Sequence, residues 1–113
     1  MVMSGHKIEL LEYVTEEGKN PFHKWMNSLK DRVARAKVRV RLNRVRLGNF
    51  GDCKSVGKGV SELRVDYGPG YRVYFGKSDK TIVLLLCGGS KKTQSKDIEL
   101  AHQFWADYQR RMR

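Results

Sequence analysis

Side chains that can bind an anion or move a proton recur at alternate positions of two short segments of the sequence. Arg64 lies in the segment SELRVDY, and Arg72 and Tyr74 lie in the segment GYRVYF. Two further cations, Lys91 and Lys92, follow the apolar run TIVLLLC. Because side chains alternate between the two faces of a strand, the first three share one face of a sheet if the two segments are neighbouring strands.

Such a set of residues suits chemistry on a phosphodiester. The planar guanidinium of arginine binds phosphate through parallel N–H donors and stabilises the charge that grows in the transition state. A lysine, or a tyrosine whose pKa is lowered by nearby cations, can transfer a proton. With RNA as the substrate, the 2′-hydroxyl is a built-in nucleophile, and no metal ion is then required.

Ordinary structural roles stand beside this interpretation. Arg64 could pair with Glu62 or Asp66 across the sheet, whereas Arg72 has no acidic residue close to it in its own strand. Tyr74 could be a sheet tyrosine without chemistry, and the two lysines could be a solvated loop pair.

The periodicity of apolar residues predicts the elements that position these side chains. Alternating apolar and polar residues indicate half-buried strands, whereas TIVLLLC lacks alternation and indicates a strand covered on both faces. Apolar residues spaced by three and four, preceded by the capping residues Asn20 and Asp31, indicate a helical hairpin. The expected elements are a strand over 7–14, helices over 21–29 and 32–47, a loop over 48–59, strands over 60–67, 71–75 and 81–87, and a last helix capped by Ser95.

This order, β-α-α-β-β-β-α, predicts a single α+β domain over residues 1–113. The sheet is expected to be small and mainly antiparallel, with the helices packed on one face. The opposite face is then open, and the polar residues of the alternating strands share it: Glu62, Arg64, Asp66, Arg72 and Tyr74. We therefore expect the cationic side chains to converge there, beside the two lysines.

The balance of charge points to a polyanionic partner. The 113 residues include 23 Lys plus Arg against 12 Asp plus Glu, a net charge of +11. Clustered cations gain free energy when nucleic acid releases its counterions, although an acidic protein would satisfy the charge equally well.

The cysteines and the hydropathy of the sequence indicate in which cellular compartment the protein is expected. Cys53 and Cys87 form no CxxC pair and are expected to be reduced thiols, without a metal site. No signal peptide is visible, and the longest apolar run is too short to span a bilayer. We therefore expect a cytoplasmic protein with no cofactor, no metal and no membrane contact.

Much of the chain, about residues 20–104, resembles the addiction module killer proteins, a HigB-like branch of the RelE/ParE toxin superfamily. The resemblance is carried by the ordered motifs GN-GD, ELR, GPGYRVYF and GG-KKTQ-KDI-A. It implies a RelE-like fold and the role of toxin in a type II toxin–antitoxin pair. The implied partners are a helix-turn-helix antitoxin, the ribosome and mRNA.

The same resemblance implies a ribosome-dependent mRNA endonuclease that works without metal and leaves a 2′,3′-cyclic phosphate and a 5′-hydroxyl. Arg72 matches the arginine that follows GY in RelE-like toxins, so it is expected to bind the scissile phosphate and stabilise its added charge. Arg64 matches the arginine of the preceding strand and supports Arg72. Lys91 or Lys92 is expected to assist proton transfer or the leaving oxygen.

Further basic residues are expected to contact RNA. Lys54 and Lys58, in the glycine-rich loop, would hold flanking phosphates. The basic face of the second helix, which includes Arg39 and Arg46, would assist contact with RNA or the ribosome.

Several points stay open. The general acid and base are unassigned, with Tyr74, Tyr108 and His102 as candidates. A ParE-like inhibitor of DNA gyrase and a nucleic-acid-binding module without catalysis are alternative functions. Arg64, Arg72 and the pair Lys91–Lys92 favour the nuclease, because a gyrase inhibitor needs no phosphate clamp on its sheet.

Overall fold

Three helices and a five-stranded sheet make up the α+β fold of residues 7–113, the part of the chain that the computed structural model describes. Residues 1–6, which the expected domain includes, lie outside this range. The elements are β1 (Glu9–Glu12), α1 (Pro21–Ser28), α2 (Arg32–Arg46), β2 (Cys53–Ser55), β3 (Val60–Val65), β4 (Tyr71–Asp79), β5 (Ile82–Ser90), a 3-10 turn (Lys91–Thr93) and α3 (Gln94–Arg111).

The sheet has the strand order β1-β5-β4-β3-β2. β1 pairs with β5 in parallel, and the remaining neighbours are antiparallel, so the sheet is mixed but mainly antiparallel. The predicted order of helices and strands is confirmed, with one strand added: β2 lies within the segment 48–59 that was expected to be a loop.

Caps and an apolar stripe fix the helical hairpin as predicted. The Asn20 side chain accepts a hydrogen bond from the backbone N–H of His23, and Asp31 accepts from the first turn of α2. Pro21 occupies the first helical position, where its missing N–H costs least. The buried residues of both helices pack on one side of the sheet, here called the hairpin face: Phe22, Met26, Val38, Leu42 and Val45.

The last helix packs on the opposite side, here called the α3 face, so the expectation that the helices share one face is wrong. Ala101 and Trp105 of α3 pack against Val60, Leu84 and other residues of that side. The physical reason is the central strand: β5 carries apolar side chains on both faces, and both must be covered. The helix also begins one residue before the predicted cap, at Gln94, so Ser95 lies inside it.

Two glycines let aromatic rings lie directly on the strands. A Cβ atom at Gly76 would overlap the ring of Trp105 on the α3 face, and one at Gly88 would overlap Trp25 on the hairpin face. Each glycine therefore sets how closely a helix approaches the sheet. No helix among residues 7–113 is both long enough and apolar enough to cross a membrane.

Candidate functional site

The register of β3 and β4 places the predicted arginines directly opposite each other. Arg64 pairs with Arg72, and Glu62 pairs with Tyr74, two residues further along the same two strands. Pairs that are two residues apart project from the same side of a sheet, and this side is the α3 face, where Tyr74 is part of the apolar cluster. The alternation in the sequence thus predicted correctly which side chains share a face.

Glu62 lies at the centre of this arrangement and is fully buried. Its Oε1 accepts a hydrogen bond from Nε of Arg64 at 3.0 Å. Its Oε2 accepts from the hydroxyl of Tyr74 at 3.2 Å and from Nε2 of Gln94 at 2.8 Å. We call these residues, together with Arg72, the Glu62 cluster.

Arg72 is largely buried within the Glu62 cluster, so the open face expected from the sequence is not open. Only 10 % of its side chain is exposed, compared with 36 % for Arg64. Its Nε lies 3.4 Å from Oε2 of Glu62, and its Nη1 donates to the carbonyl of Gly70 at 3.0 Å. The alternation along the strand predicted the side of the sheet from which Arg72 projects. The position of α3 determines how much of the side chain is exposed to solvent.

Tyr74 is fully enclosed, which contradicts its assignment to an accessible face. Burial and the adjacent Glu62 carboxylate raise the pKa of the phenol far above its ordinary value of 10.0. The charge of Arg72 acts in the opposite direction but is outweighed, so the pKa is not lowered as proton transfer would require. In this structure Tyr74 is a buried hydrogen-bond donor to Glu62 and does not reach a substrate.

The lysines that follow β5 lie beside the arginine pair. The backbone N–H of Lys91 donates to the carbonyl of Gly70 at 2.8 Å, and the same oxygen accepts from Arg72. Lys91 and Lys92 are both exposed and form the turn that starts α3. The backbone of Gly70 adopts a positive φ of 78°, and a Cβ atom there would lie 3.5 Å from Nη1 of Arg72. The positive φ, which residues with a side chain rarely adopt, favours glycine at this turn, whereas a contact of 3.5 Å would be an ordinary one.

The two lysines of the glycine-rich segment occupy different positions. Lys54 is exposed on the edge strand β2, directly opposite Glu62, and therefore projects from the α3 face. Lys58 lies in an exposed turn with φ of 54°. His102 contacts the carbonyl of Val56 at 3.0 Å, so it ties this turn to α3.

The two arginines of α2 that were expected to contact RNA lie apart from the Glu62 cluster. Arg39 and Arg46 line a groove between α1 and α2, together with Glu12 and His23. Those helices cover the hairpin face, so the sheet separates the groove from the arginine pair. Any contact they make with RNA belongs to a second surface.

Two residues of the site region were missed from the sequence. Gln94 joins α3 to Glu62, but a single glutamine in a first helical turn gives no sequence signal. Arg41 donates to the carbonyls of Phe50, Asp52 and Arg64, and so fixes α2 against β3. Arg41 belongs to the uniformly basic sequence of α2, where nothing distinguishes it from its solvent-exposed neighbours.

The electrostatics of the cluster favour an anion. Burial alone would raise the pKa of the Glu62 carboxyl, but its donors Gln94, Arg64 and Tyr74 and the charge of Arg72 outweigh this, and the pKa lies below the ordinary 4.5. One carboxylate thus faces two guanidiniums, and the trio keeps a net positive charge. Across residues 7–113, there is no group of three or more His, Cys, Asp or Glu side chains placed to hold a metal ion.

The arrangement can therefore bind an anion at the partly exposed edge of Arg64, with Arg72 just behind it and the turn at Lys91 alongside. Neither Glu62 nor Tyr74 can exchange a proton with a ligand there, because both are fully buried.

Comparison with known proteins gives two findings. The family described as "Phage derived protein Gp49-like (DUF891)" matches residues 24–106 of this chain. A relative described as an uncharacterized protein of Haemophilus influenzae is 51 % identical over 80 residues, which is 71 % of this chain and 81 % of the relative. The range matched by the family contains all members of the Glu62 cluster.

Proposed function

The chain belongs to the Gp49-like family of phage-derived proteins, a family associated with toxin–antitoxin modules, and from this premise we propose that it is a HigB-like toxin of the RelE/ParE superfamily that cleaves mRNA on the ribosome. A helix-turn-helix antitoxin would then be its cognate partner in the cytoplasm. Three features support the assignment to this superfamily: the order of elements, the motif GPGYRVYF and the high net charge.

The observation that carries the proposal is the pairing of Arg64 with Arg72 on adjacent strands. Like charges directly opposite each other in a sheet are destabilising. The arginine pair is nevertheless present, with one buried carboxylate between the two guanidiniums and two lysines at the neighbouring turn. Such an arrangement is expected of a site built to bind a phosphate.

In the proposed reaction, a phosphate of the RNA backbone meets Arg64 first, because this side chain is the more exposed of the pair. Arg72 adds positive charge from behind. The 2′-hydroxyl gives its proton to solvent as it attacks the adjacent phosphorus, the bond to the 5′-oxygen breaks, and the products are a 2′,3′-cyclic phosphate and a 5′-hydroxyl. Lys91 or Lys92 is proposed to donate the proton that the leaving oxygen takes up.

The burial of Arg72 favours a second candidate, a ParE-like inhibitor of DNA gyrase. In that case the Glu62 cluster is a structural feature of the sheet, and the target is bound elsewhere as a protein surface. The two candidates differ in which process stops first in the cell: translation, with cleaved transcripts, or replication, with intact transcripts.

The deciding experiment maps mRNA 5′ ends after brief induction, while protein and DNA synthesis are labelled separately. Arg64→Ala and Arg72→Lys are compared with Lys24→Ala, an exposed basic residue of α1, the helix that covers the other side of the sheet. We expect new 5′ ends for the wild type and for Lys24→Ala, and a loss of about 10²-fold or more for the two site variants. Arrested DNA synthesis with unbroken transcripts would overturn the proposal.

A further inference from the structure

We propose that Glu62 is the positioning residue of the site: its carboxylate holds Arg64 and Arg72 together as one anion-binding unit, and a bound phosphate shares with it the neutralisation of their charge. The inference rests on the proposed function to the extent that the ligand of this unit is taken to be a phosphate.

The first argument is that Glu62 is fixed from three elements and is closed to ligands. Its two oxygens accept from Arg64 on β3, Tyr74 on β4 and Gln94 on α3. The carboxylate is fully buried, so it cannot touch a substrate. Of its partners, the two arginines are the cations that can bind an anion, so we expect an effect of Glu62 on the reaction to pass through them.

The second argument is the way in which the arginines are held. Both approach Glu62 through Nε, at 3.0 Å for Arg64 and 3.4 Å for Arg72. Among the described residues, the Nη atoms of Arg64 and Nη2 of Arg72 make no side-chain hydrogen bond. This geometry leaves N–H groups of both guanidiniums available for a ligand.

The third argument concerns Arg72, whose Nε is the one buried side-chain polar atom of residues 7–113 without a hydrogen-bond partner. Its contact with Glu62 is an attraction between charges without the alignment of a full hydrogen bond. The orientation of Arg72 therefore depends more on the charge of the Glu62 side chain than on the shape of that side chain. The substitution Glu62→Gln removes this charge at nearly constant volume.

A distinctive consequence follows. Without the Glu62 charge, the two arginines repel each other and the folded state is less stable. The unit then carries a second uncompensated positive charge, so it should bind an external anion more tightly. A carboxylate that does not neutralise the arginine pair would lower stability when replaced, without raising the affinity for anions.

The test measures the unfolding temperature of the purified full chain as the concentration of inorganic phosphate increases. Chloride at equal ionic strength is the reference. We expect Glu62→Gln to unfold at a lower temperature than wild type and to bind phosphate about tenfold more tightly or better, as Coulomb's law gives for one buried charge nearby. Glu17→Gln, which changes the net charge equally in the exposed turn after β1, should bind phosphate as wild type does. Adding Arg64→Ala to Glu62→Gln should cancel the gain.

Equal phosphate affinity in Glu62→Gln and Glu17→Gln would overturn the inference. If Glu62→Gln does not fold, Glu62→Asp takes its place, because it keeps the charge but withdraws it by one methylene. Glu62→Asp should bind phosphate as wild type does, yet cleave ribosome-bound mRNA about 10²-fold more slowly, the loss that a misplacement of about 1 Å produces. Cleavage at the wild-type rate by Glu62→Asp would equally refute it.

The two proposals fail in different ways. If the wild type leaves transcripts intact, the nuclease proposal is wrong. The phosphate titration would still test the proposed role of Glu62. A wild type that cleaves, combined with no gain in phosphate affinity in Glu62→Gln, would sink only the role of Glu62.

Discussion

Replacing Tyr74 by phenylalanine separates the two roles that a tyrosine at this position could have. The substitution removes the hydroxyl that donates to Oε2 of Glu62 and leaves the ring in place. A hydrogen bond to an ionised, buried acceptor contributes about 1.5–3 kcal/mol. For 113 residues, the entropy of unfolding near the midpoint is about 0.24 kcal/mol per degree. Dividing the lost free energy by this entropy gives an expected decrease in Tm of about 6–12 °C.

The assay pairs thermal unfolding with cleavage at a temperature where both proteins are folded. Tyr71→Phe is the matched control, because Tyr71 lies on the same strand but faces the hairpin and packs on Trp25, and we expect it to change stability by less than about 0.5 kcal/mol. We expect Tyr74→Phe to keep cleavage within a few-fold of wild type. Unchanged stability with cleavage reduced by about 10²-fold or more would show that Tyr74 transfers a proton, and the reasoning from burial would be refuted.

Three further predictions concern packing, buried charge and the thiols. Gly88→Ala should cost about 1–3 kcal/mol, because its Cβ overlaps the ring of Trp25; a double-mutant cycle with Trp25→Leu should recover part of this loss, and additive losses would contradict it. Burial raises the pKa of Asp97 above 3.8, so its ionised form opposes folding at neutral pH; Asp97→Asn should be the more stable protein at pH 7, with an advantage that shrinks as pH falls through the raised pKa. Burial raises the pKa of Cys87 to about 12, so its thiol should react with a disulfide reagent only after unfolding, and rapid labelling of the native protein at this residue would contradict the structure.

The strand pattern was predictable because period-two alternation is a local property. Leu63, Val65 and Val73 had to share one face, and therefore Glu62, Arg64 and Arg72 had to share the other. The helix caps at Asn20 and Asp31 were predictable for the same reason: the donor and acceptor lie within three residues of each other.

The face chosen by α3 was not predictable from its own sequence. An apolar stripe on a helix predicts that one side of the helix is buried. It does not predict against which face of the sheet that side packs. The apolar residues on both faces of β5 contained the missing information, since the second face also needed a cover. The strand β2 was missed because three residues between glycines are too short to show a period.

The burial of Arg72 also changes which substitution gives a clear answer about the site. An arginine on an open face could be truncated at little cost, so loss of toxicity in Arg72→Ala would have been direct evidence for chemistry. In the observed position, truncation leaves the Glu62 carboxylate buried with one cation fewer, a change that costs about 3–5 kcal/mol when a buried pair is broken. A non-toxic Arg72→Ala could then be an unfolded protein. Arg64 is partly exposed and contacts the same carboxylate, so a folded, non-cleaving Arg64→Ala is the result that attributes the activity to the arginine pair.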